Sequence, residues 1–190
     1  MKRVIRLGGM VVVMLSLMLC QPVFAAELQK DFSVQKAVVF TLDASNSMNG
    51  NDRNRLAIDS IAQLIYSLPS NYSVGLVAYN TDVVAASGMV GSDGRDSIME
   101  AANAIRYTGY TNAGAGLTRA MELLDSIEAS QKTVVMLSDG EIVMQNDAAT
   151  AASSSQFQNA VSAAKESGTV IHVIGLGSNH MDDSSGLLSC

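Results

Sequence analysis

From residue 37 onward, two hydrophobic rhythms alternate along the chain. Ala37-Val38-Val39-Phe40-Thr41-Leu42 is an almost unbroken apolar and β-branched run, the pattern of a strand buried on both faces. Residues 54–68 change to the helical period. Ala57, Ile61, Leu64, Ile65 and Leu68 fall on one face, and Pro69 ends the run. Residues 74–79 predict a second strand, and 83–90 a weaker one suited to a sheet edge. Short and longer helices are predicted over 95–105 and 113–128, the longer with Leu117, Met121 and Leu124 on one side. Residues 133–137 form another apolar strand. Phe157, Val161 and Ala164 mark a further helix that Gly168 would close. The small, polar stretch 148–155 reads as the start of that helix. A last strand is predicted over 170–176. Apolar strands alternating with helices predict an α/β fold with a mainly parallel sheet.

The first 25 residues stand apart from this pattern. Lys2, Arg3 and Arg6 precede a stretch, 7–19, that is apolar apart from Ser16. Val23-Phe24-Ala25 then places small residues where a signal peptidase reads them. Residues 1–25 are expected to be a secretory signal peptide, with an uncleaved membrane anchor as the alternative, and 26–36 a lead-in. Cys20 follows Leu19, where a lipobox wants a small residue, so it is expected to leave with the peptide. The whole chain carries 12 Lys+Arg against 18 Asp+Glu, net −6. Removing the peptide makes the balance −9, with nine basic residues left. That argues against non-specific binding to nucleic acid. A signal peptide also implies export, to the periplasm, the cell surface or the medium. Two cysteines build no disulfide framework, and cleavage would leave Cys190 alone.

In an open parallel sheet, function gathers where strands end at their C-terminal side. The first strand runs into Asp43-Ala44-Ser45-Asn46-Ser47. Residues two apart in an extended segment point the same way, so Asp43, Ser45 and Ser47 can aim one carboxylate and two hydroxyls at a single point. The strand at 133–137 runs into Ser138-Asp139-Gly140, a second carboxylate at a strand end. The loop Gly109-Tyr110-Thr111-Asn112-Ala113-Gly114 brings the Thr111 hydroxyl to a helix start. Two carboxylates and three hydroxyls form a hard oxygen set suited to a divalent cation, Mg²⁺ first, with Mn²⁺ or Ca²⁺ as alternatives.

These motifs together resemble the von Willebrand factor type A family with a metal-ion-dependent adhesion site. The family's D-x-S-x-S stands at Asp43-Ala44-Ser45-Asn46-Ser47. Its T-N-x-G-x-G-L stands at Thr111-Asn112-Ala113-Gly114-Ala115-Gly116-Leu117, and its S-D-G at Ser138-Asp139-Gly140. The resemblance implies a doubly wound sheet over about 37–178 with a metal at its top. Ser45, Ser47 and Thr111 would be the hydroxyl ligands, and Asp43 and Asp139 would act largely through bound water and hydrogen bonds. A partner protein's Asp or Glu would complete the coordination.

Other readings are weaker on the same residues. A phosphatase-type Mg²⁺ hydrolase could use Asp43 as nucleophile, but it usually carries a second acid two residues on, where Ser45 stands. No lysine waits at a strand end for a phosphate. An accessory subunit of a larger complex would use the same capture chemistry as an adhesion module. His172, mid-strand, reads as a core or sheet-face residue, and Gly175-Leu176-Gly177 lacks the third glycine and the helix of a dinucleotide loop. Residues 179–190 form a polar tail in place of the helix, strand and helix with which the family usually continues. The expectation is an open outer edge on the last strand, with dimerisation through that edge or through Cys190.

Overall fold

The computed structural model describes residues 35–176. The signal peptide, most of the lead-in, the polar tail, His180 and Cys190 therefore lie outside the described residues. β1 (Lys36–Asp43), β2 (Tyr72–Tyr79), β3 (Val83–Val90), β4 (Gln131–Ser138) and β5 (Val170–Gly175) form one sheet in the order β3-β2-β1-β4-β5. All neighbours are parallel except β2 and β3, which join as an antiparallel pair. The helices are α1 (Met48–Asn51), α2 (Leu56–Ser67), α3 (Arg95–Ala104), α4 (Ala113–Asp125) and α5 (Asp147–Ser167).

Because alternate strand residues face opposite sides, β1 feeds two separate cores. Val38, Phe40 and Leu42 pack with Ile58, Ile61 and Ile65 of α2 and with Ile98 of α3. Ala37 and Val39 pack with Leu117 and Leu124 of α4 and with Phe157 of α5. This explains the unbroken apolar run. A strand covered by helices on both faces has no side to give to water.

Three local differences from the sequence reading have simple causes. On α2 the buried positions are Ala57, Ile58, Ile61 and Ile65, while Leu64 is 38% exposed; the helix turns its face by a fraction of a turn, and Ile58 takes the place expected of Leu64. α4 ends at Asp125 rather than 128, where the Ser126 hydroxyl bonds back to the Leu123 carbonyl. β5 is covered on one face only, and there partly. Ile171 and Val173 pack under α5's core, while Val170, His172 and Ile174 are exposed. His172 therefore sits on the sheet face expected for it, on the open side.

The strand order fixes where the site falls. From β1 the chain crosses to β2 on one side and later to β4 on the other, so the connections diverge at the C-terminal ends of β1 and β4. Such a divergence opens a crevice in doubly wound sheets. The register sets Asp43 beside Tyr79, and Leu42 beside Leu137, so Ser138 and Asp139 emerge next to Asp43.

Candidate metal centre

Four loop hydrogen bonds clamp the segments that carry the five oxygen-bearing residues. Ala44 N donates to the Tyr79 carbonyl at 2.7 Å and Thr108 N to the Ala44 carbonyl at 2.8 Å. Asn46 N donates to the Gly109 carbonyl at 3.1 Å and Thr111 N to the Val143 carbonyl at 2.7 Å. The 43–47 loop is thus stitched along residues 108–109, and the backbone around Ser45, Ser47 and Thr111 is fixed by hydrogen bonds of its own.

Within that frame Asp43 is fully buried. Its Oδ1 accepts from Ser45 N at 2.9 Å and its Oδ2 from the Ser138 hydroxyl at 2.8 Å. The Ser45 and Ser47 hydroxyls lie 2.9 Å apart, as the alternation argument requires. Asp139 is half-buried, and Asn51 Nδ2 of α1 donates to its Oδ2 at 2.8 Å. Thr111 is 5% exposed and its hydroxyl forms no hydrogen bond among the described residues.

The electrostatics show what this oxygen cluster lacks. Burial pushes the Asp43 carboxyl up to about 6; hydrogen bonds from Ser45 and Ser138 oppose the rise, and the charge of Asp139 adds to it. Tyr79, fully buried at the end of β2, is held well above the ordinary tyrosine range, first by burial and then by the charge of Asp43. The Tyr79 hydroxyl meets no partner in hydrogen-bond geometry among the described residues. Negative charge is therefore gathered in a low-dielectric crevice, and no cationic side chain offsets the Asp43 carboxyl. Hard oxygens with surplus negative charge are the environment a divalent cation satisfies. Among the described residues no group of three or more His, Cys, Asp or Glu is placed to hold an ion. A set of two carboxylates and three hydroxyls does not need one, so the residues present fit the metal.

Gly114 and Gly116, in the first turn of α4 after the Thr111 loop, have a packing reason. A Cβ on Gly114 would run into the Ser153 carbonyl of α5, and one on Gly116 into the Tyr79 ring. Both let α4 approach α5 and the end of β2 closely. Asn112 caps the helix: its Oδ1 accepts from Ala115 N at 3.1 Å and from the Ser153 hydroxyl at 2.7 Å, and its Nδ2 donates to the Thr81 carbonyl.

The profile of the von Willebrand factor type A domain matches residues 37–189. The chain belongs to that family. The fold agrees with this assignment, with a mostly parallel sheet between two helical layers. Among curated proteins, the uncharacterized protein YfbK of Escherichia coli K12 is 24% identical over 149 residues, spanning 77% of this chain and 25% of its own length. The pilus adhesin SpaC of Lactobacillus rhamnosus GG superposes with a TM-score of 0.60 at 15% identity, over 74% of this chain and 24% of the adhesin. The von Willebrand factor domain of the type V pilus tip protein Mfa5 of Porphyromonas gingivalis does so at 0.51 and 23% identity, over 57% of this chain and 39% of that domain structure. The chain thus spans about a quarter of YfbK and of SpaC, and the likenesses to SpaC and Mfa5 are likenesses of fold.

Two residues of the site escaped the sequence reading. Asn51 was hidden in a loop rich in Asn and Asp, where each side chain suits a turn. Ser138 was visible only as the first letter of a motif, whereas the structure makes it a donor to Asp43.

Proposed function

We propose that this type A domain is a protein-interaction module that binds one divalent cation, Mg²⁺ with Mn²⁺ or Ca²⁺ as alternatives, and uses it to capture an Asp or Glu of a partner protein. The observation that carries the reading is the cradle itself. Asp43 is buried with its carboxyl raised to about 6 in part by the charge of Asp139, the Ser45 and Ser47 hydroxyls lie 2.9 Å apart, and the loop that carries Thr111 is hydrogen-bonded along theirs.

Ser45, Ser47 and Thr111 would hold the ion through their hydroxyls, while Asp43 and Asp139 supply the negative charge around it. When bound, the ion supplies a Lewis-acidic position that accepts a carboxylate oxygen. Ser138 and Asn51 orient the two Asp side chains. Tyr110 and Val143, 44% and 48% exposed on either side of Thr111 in the chain pairing, give the rim an apolar contact surface. Pilus adhesin and pilus tip proteins share the fold, which supports an adhesive or assembly role in an exported protein. The net −9 of the processed chain means that an acidic partner is not drawn in over long range, so capture is local.

A phosphatase-type hydrolase fits the geometry poorly. A nucleophile must reach its substrate, and both oxygens of the fully buried Asp43 accept internal hydrogen bonds. The test of the reading is calorimetry with Mg²⁺ on the parent, Asp43→Ala and the Ser45→Ala/Ser47→Ala double variant, together with partner capture in Mg²⁺ and in chelator. Metal binding should be lost in the variants and capture lost in chelator. Equal metal affinity in parent and variants, or capture that survives the chelator, overturns it.

A further inference from the structure

An open cavity of about 470 Å³ is lined by residues within 49–55 and 106–108, which follow the 43–47 loop and precede the 109–114 loop of the metal site. Three arginines, Arg53, Arg55 and Arg106, line it. The chain has only nine basic residues after position 25, so a third of them converge here in an otherwise acidic molecule. Their local counter-charge is already committed. Asp52, 5% exposed, accepts from Leu56 N, Ala57 N and the Tyr107 hydroxyl, serving as the cap of α2. Arg55 is fixed by its bond to the Ile105 carbonyl at 2.9 Å and by stacking 5.2 Å from the Tyr107 ring centroid. Arg53 and Arg106 are exposed and form no ion pair or hydrogen bond among the described residues. The cavity therefore presents three guanidinium groups against one internally satisfied carboxylate.

Its position relative to the metal site is set by the chain. Asn49, on its wall, donates from Nδ2 to the Tyr107 carbonyl at 3.0 Å and lies two residues from Ser47. Thr108, on the facing wall, lies three residues from Thr111. At no more than about 3.6 Å per residue, the backbones of Asn49 and Thr108 are within about 7–11 Å of the backbones that carry the Ser47 and Thr111 hydroxyls. An extended peptide rises about 3.3 Å per residue, so two acidic side chains a few residues apart could reach both places.

We propose that the arginine cavity is a second subsite, taking another carboxylate of the same acidic partner segment whose first carboxylate is captured at the metal. The proposal rests on the metal-capture reading above. It assigns the cavity the specificity that a single carboxylate lacks: a partner is chosen by the spacing of two acids. Planar guanidinium forks suit carboxylate geometry, and the fixed Arg55 leaves Arg53 and Arg106 free to close on the ligand.

The probes are synthetic peptides Asp-(Gly)n-Glu, N-acetylated and C-amidated so that only side chains carry charge, with about one to four glycines to scan the spacing, and matched Asp-(Gly)n-Gln controls and Asp-(Gly)n-phosphoserine peptides blocked in the same way. Binding is measured in Mg²⁺ and in chelator to the parent, to Arg53→Gln/Arg106→Gln and to Ser45→Ala/Ser47→Ala. In Mg²⁺ the second acid should raise affinity about fivefold at one preferred spacing, since each exposed pair contributes modestly. The arginine variant should lose that gain, keep the single-acid affinity and unfold at the parent's temperature. Metal-dependent binding of the single-acid peptides with no gain at any spacing, or a gain that survives in the arginine variant, overturns the second subsite and leaves metal capture standing. A gain from phosphoserine with none from Glu also overturns it, in favour of a phosphate site. Equal binding of all peptides in Mg²⁺ and chelator, or none in either, overturns metal capture and the subsite together.

Discussion

Asp43→Asn should make the metal-free protein more stable at neutral pH while abolishing its response to Mg²⁺. Asn keeps the shape and can still accept from Ser45 N and meet the Ser138 hydroxyl, so the main change is the loss of a buried charge. In the folded chain the Asp43 carboxyl titrates at about 6 against an ordinary value of 3.8, chiefly because it is buried. The folded state therefore binds that proton more tightly than the unfolded state does. Its contribution to stability is fully present below about 3.8, falls as pH rises and is gone above about 6. The difference amounts to roughly 3 kcal/mol at neutral pH. Asn carries no such titration. In chelator, the unfolding free energy of the variant minus that of the parent should rise by about 2–3 kcal/mol between about pH 4 and pH 7.5. Any constant offset from the altered hydrogen bonds cancels in that comparison. Adding Mg²⁺ at neutral pH should then stabilise the parent alone, by linkage to binding. Urea unfolding at the two pH values, with and without Mg²⁺, reads all of these quantities. A stability difference that is flat in pH, or an equal Mg²⁺ effect on both proteins, would refute the account of Asp43 as a charge buried for a cation.

Further outcomes follow from the same geometry. Mg²⁺ affinity should fall by up to about tenfold per pH unit below about pH 6, because protonation of Asp43 competes with the ion; calorimetry that finds a constant affinity between pH 5 and pH 7.5 would contradict this. Thr111→Ala should weaken Mg²⁺ and partner binding while changing stability by less than about 1 kcal/mol, since the hydroxyl holds no internal hydrogen bond; chemical unfolding beside calorimetry separates the two effects. Gly114→Ala should destabilise by about 2 kcal/mol or more, because its Cβ meets the backbone carbonyl of Ser153, which cannot swing aside. An unfolding midpoint equal to the parent's would show that α4 and α5 can separate without loss.

What could be read from the sequence followed from burial. β1 and β2 are covered on both faces, so their apolar runs announced them; β3 alternates at a sheet edge and read accordingly as the weaker strand. β5 has an equally apolar sequence but an exposed outer face, because a residue's type records what a strand can bury and not what covers it. Leu64 and Ile58 exchanged roles on α2 because both satisfy a helical period to within a fraction of a turn. The strand-end places of Asp43 and Ser138 and the facing Ser45 and Ser47 hydroxyls were legible because period-two spacing and strand ends are local properties. Asn51 and the arginine cavity were not. Asn51 reaches Asp139 across 88 positions, and Arg106 joins Arg53 and Arg55 only because residues 44–46 and 108–109 are zipped by backbone hydrogen bonds.

That zipper also shapes how the site can act. The hydroxyls of Ser45 and Ser47 need not be gathered by a ligand, because Ala44 and Asn46 between and beside them are already tied to Tyr79, Thr108 and Gly109. The Thr111 loop is held by the Asn112 cap, by the Thr111 bridge to Val143 and by two glycines that admit close neighbours. Ordering entropy has thus been met in folding rather than at binding, and preorganised donors keep more of their interaction energy for the ligand. The cost appears instead as the buried charge of Asp43, which destabilises the metal-free protein. Under the proposed function, a bound cation would remove that cost, and a partner carboxylate would then meet a site whose geometry is in place. On this scheme stability and binding are linked through one carboxylate: changes that relieve Asp43 stabilise the empty domain and disable capture, whereas changes at Arg53 and Arg106 leave stability alone and act on the choice of partner.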